Sequence, residues 1–589
     1  MSHFPRRRLC FAAATLVILA LTGCPNNPSQ QQTKSSGEQD DPLGTVKESF
    51  RKEHSLPECQ ATVSQLNVYL GREKQSPIAK ISAPEMELLT KRLNLTEPEL
   101  KELGRDEFTP LDAHYMDECF LFHDAIRALK LDWNDSSLAG HLERARLAFA
   151  WAMRQVWFFD RQSRPVPAGM ALRRGLGNDM DRIHVVLAAW QQLGLDGCLL
   201  GNKSAAQGTR FWGVGVRIDS EIYLFHPRQG QPIFAADGKS ILTLRQARAN
   251  ADSLKAALAG VEGSAELGQF VKNSGVYLAP PLSALSPRMR FLQTIVTGSP
   301  ALQAGIDPTA LLKRCADTGE PVEFWNPPKN LSTPTRALIF FLPAEEGGLE
   351  QAPPGQRSYD LYYATVVPWH LMPPQLEMIL GAPRDRLRAQ FSGRFITMML
   401  EPNRPGEPKR ARDCILRGQF DDAAALLMEM LTHISHAQQR LVAEPNLDAE
   451  AGKWIDDMRS SYAAMLRGEK NPTDSSYLNA KAQVSELQKY SEKVFLLIER
   501  SVAEPMGAQA TFQLALCKHE QAERLGRSRP GNPAGQEDTL AAWKIAQDWW
   551  NNFLSLFGSS AVVPPGQLAH ARDMAKQAHA EVERFTAKP

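Results

Sequence analysis

Asp179 and His226 are the two side chains whose types and positions best suit a reaction site in this chain. Asp179 begins a helix predicted over 179–193, and His226 follows an apolar strand predicted over 222–225. A carboxylate hydrogen-bonded to an imidazole can activate water or hold a metal weakly. The same pair can serve as a structural hydrogen bond, and Asn178 or Asp179 suits the N-cap of the helix. The residues leave both interpretations open and favour the structural one.

The remaining candidates for chemistry are thiols and one histidine pair. No two cysteines after residue 24 are close enough for a CxxC motif, so no metal or redox framework is predicted. Cys59 and Cys119 form a disulfide or remain buried free thiols, and Cys198 is predicted to be a small core residue. His433 and His436 lie one helical turn apart with no third ligand nearby, so we predict no metal and no cofactor.

The N-terminal segment carries the clearest targeting signal in the sequence. Arg6–Arg8 precede an apolar run over Leu9–Leu21, which is short for a membrane span, and Cys24 follows it. Leu-Thr-Gly-Cys at this point resembles the lipobox of bacterial lipoproteins. The resemblance implies cleavage before Cys24, lipid on its sulfur, and attachment to the cell membrane or outer membrane, facing the periplasm or exterior. An ordinary secretion signal or an uncleaved anchor helix is the alternative.

Composition restricts the classes of partner. The chain of 589 residues is 43% hydrophobic with a net charge of +1. A basic excess that could displace counterions is therefore lacking, which excludes a general nucleic-acid binder and electrostatic adsorption to a membrane. We expect membrane contact through lipid on Cys24, with other envelope proteins as partners.

The stretch from Arg174 to Gly197 resembles the core of transglutaminase-like proteins. A glycine-containing loop leads to a helix start, the helix ends in Leu-Gly, and a strand follows. The resemblance places the family's cysteine at Asp179, with Asn178 as the neighbouring choice, its histidine near Phe211 and its aspartate at His226, in the family's order and at about its spacing. All three catalytic identities are absent.

The residues at these three positions are unsuited to the chemistry of acyl transfer. A helix start lowers the pKa of a thiol, but a carboxylate at Asp179 is a poor nucleophile for acyl transfer. An aromatic ring at Phe211 provides no proton acceptor. We therefore expect no catalytic residues here and a non-catalytic binding or scaffolding role in the cell envelope. The alternative is a hydrolase or acyl-transfer enzyme with an unconventional site near Asp179 and His226.

The expected fold class is α+β and mainly helical. Residues 145–245 also resemble an uncharacterised bacterial family common in Planctomycetes. Gly418, Phe420 and Ala423 resemble the turn of a tetratricopeptide repeat, which implies a helical array with a concave binding surface. The predicted organisation is a signal peptide at 1–23, a disordered tether at 24–43, a helical region at 44–160, a transglutaminase-like domain at 161–282, an α+β segment at 283–409 and a tetratricopeptide-like helical domain at 410–589.

Finer expectations follow from periodicity. Apolar spacing predicts one helix that runs to Phe159, and apolar runs predict strands at 198–200, 211–218 and 222–225 with a turn at Asp219. Further strands are predicted at 337–342, 361–367 and 395–400. Helices are predicted at 449–466, 475–501, 507–525, 536–557 and 567–585. An aromatic cluster between Trp543 and Phe557 suits a buried seam between two of these helices.

Overall fold

The structure is a computed structural model, and it is a mainly helical α+β protein, as the sequence predicts. It describes residues 42–49, 54–73, 75–159, 167–204, 208–235, 237–250, 271–296, 301–325, 408–442, 507–528, 533–560 and 563–587. The signal segment, Cys24 and the tether to residue 41, the strands predicted between 337 and 400, and the helices predicted at 449–466 and 475–501 lie outside these ranges. Pro42 and Leu43, predicted as the end of the disordered tether, instead begin the first described helix.

The described helices and strands follow the chain in this order. The helices are α1 Pro42–Ser49, α2 Leu56–Arg72, α3 Ala83–Lys91, α4 Glu97–Leu103, α5 Pro110–Ala128, α6 Leu138–Gln155, α7 Ala168–Arg174, α8 Asp179–Gln192, α9 Leu244–Ala249, α10 Pro287–Ile295, α11 Pro308–Ala316, α12 Pro408–Leu416, α13 Phe420–Val442, α14 507–528, α15 Pro533–Phe557 and α16 Pro565–Thr586. The strands are β1 Trp157–Phe158, β2 Leu176–Gly177, β3 Asp196–Ser204, β4 Gly208–Ile218, β5 Glu221–His226, β6 Gln231–Pro232, β7 Gly275–Leu278 and β8 Val322–Phe324.

A six-stranded sheet, formed by β3 to β8, follows α8 in the chain. Its strand order is β6-β5-β4-β3-β7-β8, and all pairings are antiparallel except the β7–β8 pair. The predicted helix, strand and hairpin are confirmed in sequence order, and Asp219 takes the left-handed φ of 54° in the predicted turn. The sequence analysis placed a boundary at residue 282, between the transglutaminase-like domain and the α+β segment. Because β8 lies beyond that residue, the sheet contains strands from both sides of the boundary.

The two faces of the sheet bury different helices. Leu199 faces a cluster with α6 and α8, where the ring of Phe225 lies 4.9 Å from that of Phe149 and 5.1 Å from that of Trp190. Cys198 and Leu200 face the opposite cluster, which includes α3, α4 and α11. This alternation is the two-residue period of a strand that is covered on both faces.

One helix prediction is wrong at its C-terminal end. Helix α6 ends at Gln155, whereas the apolar spacing predicted a helix through Phe159. Trp157 and Phe158 instead form β1, which pairs in parallel with β2. The backbone N–H groups of Trp157 and Phe159 donate to the carbonyls of Gly175 and Gly177 at 3.0 Å. Bulky aromatic residues favour such extended pairing, and apolar spacing alone does not distinguish it from a buried helix.

The C-terminal helices pack onto this core. Arg154 on α6 donates to the carboxylate of Glu520 on α14 at 2.8 and 3.1 Å. Trp157 and Leu176 belong to the same buried cluster as the seam between α14, α15 and α16. The predicted seam is confirmed for its buried tryptophans and Phe553, but Leu556 is 60% exposed. None of the helices within the described residues is both long and apolar enough to span a bilayer.

Candidate functional site

Hydrogen bonds and a buried ion pair fix the start of α8. Asn178 is the N-cap, and its side chain accepts the N–H of Asp181 at 3.0 Å. The Asp181 carboxylate accepts the N–H of Asn178 at 3.1 Å and pairs with Arg174 at 2.9 Å, where both side chains are fully buried. Asp179 is the first helical residue. Burial lowers the pKa of Arg182 to about 10, and the Asp179 carboxylate opposes that shift.

Phe211 lies on β4 among aromatic rings. Its ring centre is 5.6 Å from that of Tyr277 and 6.0 Å from that of Trp325, both in edge-on geometry. Such contacts stabilise packing, and a phenyl ring neither accepts nor donates a proton in catalysis. The structure therefore gives this position a packing role.

His226 is buried at the end of β5. Its Nδ1 atom accepts the N–H of Gln229 at 3.2 Å. Burial, with the nearby guanidinium groups of Arg228 and Arg182, lowers the pKa of His226 to about 4. The imidazole is thus neutral at neutral pH. The Arg182 guanidinium interacts electrostatically with both Asp179 and His226, and it donates to backbone carbonyls.

The described thiols are built into packing. Six cysteines are free and buried, which matches the buried-thiol alternative for Cys59 and Cys119. The thiol of Cys198 contacts the carbonyl of Gly215 at 3.4 Å, as expected for a core residue. Burial raises the pKa of Cys198 well above its ordinary value, so it is not a thiolate at neutral pH. Within the described residues, no three potential ligands gather to hold a metal, and the side chains of His433 and His436 lie outside them.

A cavity of about 340 Å³ lies between α5, α8 and one end of the sheet. Among described residues, Asp179, Phe211 and His226 do not line it. Its size falls in the range of small-ligand sites, about 300–1,000 Å³. The polar and ionisable side chains on its wall are Tyr115, Glu118, His184, Gln191, Asp196, Ser283, Gln303, Asp307 and Arg314.

Glu118 is the most unusual group of this cavity. Its side chain is buried on α5, and its Oε2 atom accepts the N–H of Gly169 at 2.7 Å. A Cβ atom at Gly169 would lie 3.0 Å from that oxygen, so glycine permits the close approach. Burial raises the pKa of Glu118 to about 7, and the Gly169 N–H and the charge of Arg173 only partly oppose it.

Helix α8 contributes His184 and Gln191 to the opposite wall. The Gln191 amide donates to the Tyr115 hydroxyl at 3.0 Å and to the Gln303 carbonyl at 2.9 Å. The His184 ring lies 5.8 Å from that of Trp325. Burial lowers the pKa of His184, which makes its neutral form the dominant one at neutral pH.

The charge of Asp196, which also lines the cavity, is balanced by two arginines. Asp196 accepts hydrogen bonds from Arg217 at 2.9 Å and from Arg314 at 2.8 Å. Burial alone would raise the pKa of Asp196, but the two guanidinium groups outweigh it and the pKa is lowered. This carboxylate is neutralised by the two guanidinium groups, whereas Glu118 has one backbone donor and, within the described part of the chain, no ion pair within 4.0 Å.

Sequence reasoning did not select Glu118 or His184 as site residues. A signal was present for Glu118, because it interrupts the apolar positions Met116, Cys119 and Phe120 on one predicted helix. An acidic group inside an apolar run is buried at a cost unless it has a partner or a task. For His184 the sequence shows only a helical position.

Comparisons with known protein families, curated proteins and solved structures give no match to this chain. The class that the coordinates define is a mainly helical α+β protein with a polar-lined cavity beside its sheet.

Proposed function

We propose that this chain is a lipid-anchored extracytoplasmic protein that binds a ligand without catalysis by a transglutaminase-type triad. One contrast carries the proposal. Asp179, Phe211 and His226 are engaged in helix start, aromatic packing and a backbone hydrogen bond. A separate cavity of about 340 Å³ holds the ionisable groups that a ligand could reach.

We also propose that residues 174–226 are a degenerate transglutaminase-like core. Support comes from a helix followed by an antiparallel strand and hairpin, with Asp179 in the first turn of the helix and His226 at the end of β5. This order matches the one that the sequence resemblance implies. The proposed partners are other envelope proteins within reach of the anchor.

The catalytic part of the proposal has a direct test on the full chain in detergent. Amine incorporation into a glutamine-containing peptide and hydrolysis of an activated ester are followed before and after alkylation with iodoacetamide. We expect background rates in both states, because the described thiols are buried and protonated. Turnover that alkylation abolishes would contradict the proposal.

The anchor is supported by Arg6–Arg8, the apolar run and Cys24, all from sequence. We expect Cys24→Ser to remove the lipid mass from the N-terminal peptide and to release the chain from the membrane fraction. Cys10→Ser is the matched control, since that residue leaves with the signal. Lipid that persists after Cys24→Ser would refute attachment at this residue.

An alternative function is a hydrolase or acyl-transfer enzyme, and one observation favours a different location for it. Glu118, with a pKa of about 7, lines the same cavity as neutral His184, which suits general acid–base chemistry. Ester hydrolysis that survives alkylation and falls at least about a hundredfold in Glu118→Gln would establish this alternative.

A further inference from the structure

The charge balance around Glu118 points to the chemistry of the ligand. Arg173 on α7 acts electrostatically on Glu118, and its guanidinium is paired with Asp117 at 2.6 Å and Asp413 at 3.2 Å. Gly169 supplies one backbone N–H. At the cavity wall, the Glu118 carboxylate therefore has one neutral donor and, among the described residues, no ion pair of its own.

The other walls favour a small organic group. Trp325 contributes an aromatic ring to the cavity wall, and apolar side chains line the same cavity, among them Leu187, Ala279, Pro281, Ile306 and Leu311. His184 and Gln191 lie seven residues apart on α8, which places them about 10 Å apart along the helix axis. Neutral His184 also carries one acceptor nitrogen.

We propose that this cavity binds a small organic cation, a protonated primary amine on an apolar body, with Glu118 as its counter-ion and Trp325 against the apolar part. The inference rests on the proposed binding function and specifies its ligand class. An ammonium group supplies the charge that the protein does not, and the Trp325 ring packs against the apolar body of the ligand. Asp196 at the far end does not compete, because Arg217 and Arg314 already neutralise it.

Binding of this kind is coupled to the protonation of Glu118. The charged or titratable described groups that act on it are Arg173 from α7 and, on its own helix, Tyr115, Asp117 and Cys119. His184 from α8 lines the same cavity. With a pKa of about 7, the ionised fraction of Glu118 falls from about nine-tenths at pH 8 to about one-tenth at pH 6. The affinity for an amine that remains protonated over this range should therefore fall about tenfold.

The experiment uses benzylamine and its neutral isostere benzyl alcohol as probes, with the full chain in detergent. Dissociation constants are measured by isothermal titration calorimetry at pH 8 and pH 6. We expect benzylamine to bind at least about tenfold more tightly than benzyl alcohol at pH 8, as for a hydrogen bond to a charged group. The preference should shrink about tenfold at pH 6, while the affinity for the alcohol stays constant.

Glu118→Gln is the matching variant, because glutamine keeps an oxygen that accepts the Gly169 N–H. We expect it to lose at least about tenfold in benzylamine affinity and all of the pH dependence, with benzyl alcohol unaffected. Glu87→Gln, at an exposed residue of α3, is the control and should change nothing. The pH comparison on the unaltered chain stands even if the variant fails to fold.

The outcomes separate this inference from the function on which it rests. Equal affinities for the amine and the alcohol, or an amine affinity independent of pH and of Glu118, overturn the amine assignment but leave a ligand-binding cavity. Binding of neither probe at either pH overturns the binding function as well. Amine binding that persists in Glu118→Gln places the cation elsewhere and also refutes the inference.

Discussion

His519 offers a sharp test of how the C-terminal helices are held. It is fully buried on α14, its Nδ1 atom accepts the Nε1–H of Trp550 at 3.3 Å, and its ring meets Trp543 edge-on at 4.8 Å. Burial, and then the charge of Arg154, lowers the pKa of His519 from 6.5 to about 4. We therefore expect acid to destabilise the helix seam, and His519→Gln to remove part of that sensitivity.

The direction of this pH dependence of stability depends on whether the folded or the unfolded chain binds more protons. Below pH 6.5 the unfolded chain protonates this imidazole while the folded chain does not, so stability falls as the pH falls from 6.5 towards 4. At pH 5 this difference in pKa corresponds to a loss of about 2 kcal/mol in the free energy of unfolding. Glutamine keeps a neutral acceptor for Trp550 and does not titrate, so this portion of the loss should disappear.

The assay is hydrogen exchange followed by mass spectrometry on peptides from 507–528, at pH 7.5 and pH 5.0, corrected for intrinsic exchange. The opening free energy of the unaltered chain should fall by about 2 kcal/mol more than that of His519→Gln between these pH values. His226 and His570, whose pKa values are also lowered, remain in both chains and cancel in the comparison. His579→Gln, at an exposed residue, is the control. Equal losses in His519→Gln and the unaltered chain would refute the reasoning.

Two further substitutions test how the C-terminal helices pack onto the core. Glu520→Gln removes the closer of the two carboxylates that pair with the buried guanidinium of Arg154 and leaves Glu523 at 3.9 Å, so thermal unfolding should show a loss of about 3 kcal/mol, at the low end for a broken buried pair. The double variant with Arg154→Met should recover part of it, and no recovery would contradict the charge argument. Gly418→Ala combines a φ of 74° with a Cβ atom 2.5 Å from that of Ala128, and should cost about 2–3 kcal/mol. Gly319→Ala, with a φ of 78° and nothing within 4 Å, should cost only about 1 kcal/mol, and equal costs would exclude the steric contribution.

Three of the six strands of the sheet were predictable from the chain because their signal is local, whereas β6, β7 and β8 were not predicted. Apolar runs at 198–200, 211–218 and 222–225 became β3, β4 and β5, and the Asp219 turn lies where the spacing placed it. The start of α8 was similarly legible, since Asn178 is a strong N-cap type and Asp181 completes a capping box three residues later.

Trp157 shows where local spacing fails. Its apolar neighbours fit a helix as well as a strand, and the choice depends on hydrogen bonds to Gly175 and Gly177, about twenty residues away in sequence. The predicted domain boundary at 410 was likewise based on local sequence alone. Leu416 lies beyond that boundary, yet it belongs to the core cluster of α6 and α8. Sequence composition contains no record of such distant contacts.

The sequence by itself determined that the three positions compared with a transglutaminase-like triad carry Asp179, Phe211 and His226 instead of cysteine, histidine and aspartate. Residue type is enough for that statement, because nucleophile and base chemistry depend on it. Tertiary structure alone decided where ionisable groups meet a cavity. Glu118 contacts Gly169 from 51 positions away, and its raised pKa arises from the burial that the surrounding helices impose. Desolvation depends on the whole packed environment, so the carboxylate with the raised pKa in the described cavity could not be identified before the helices were placed around it.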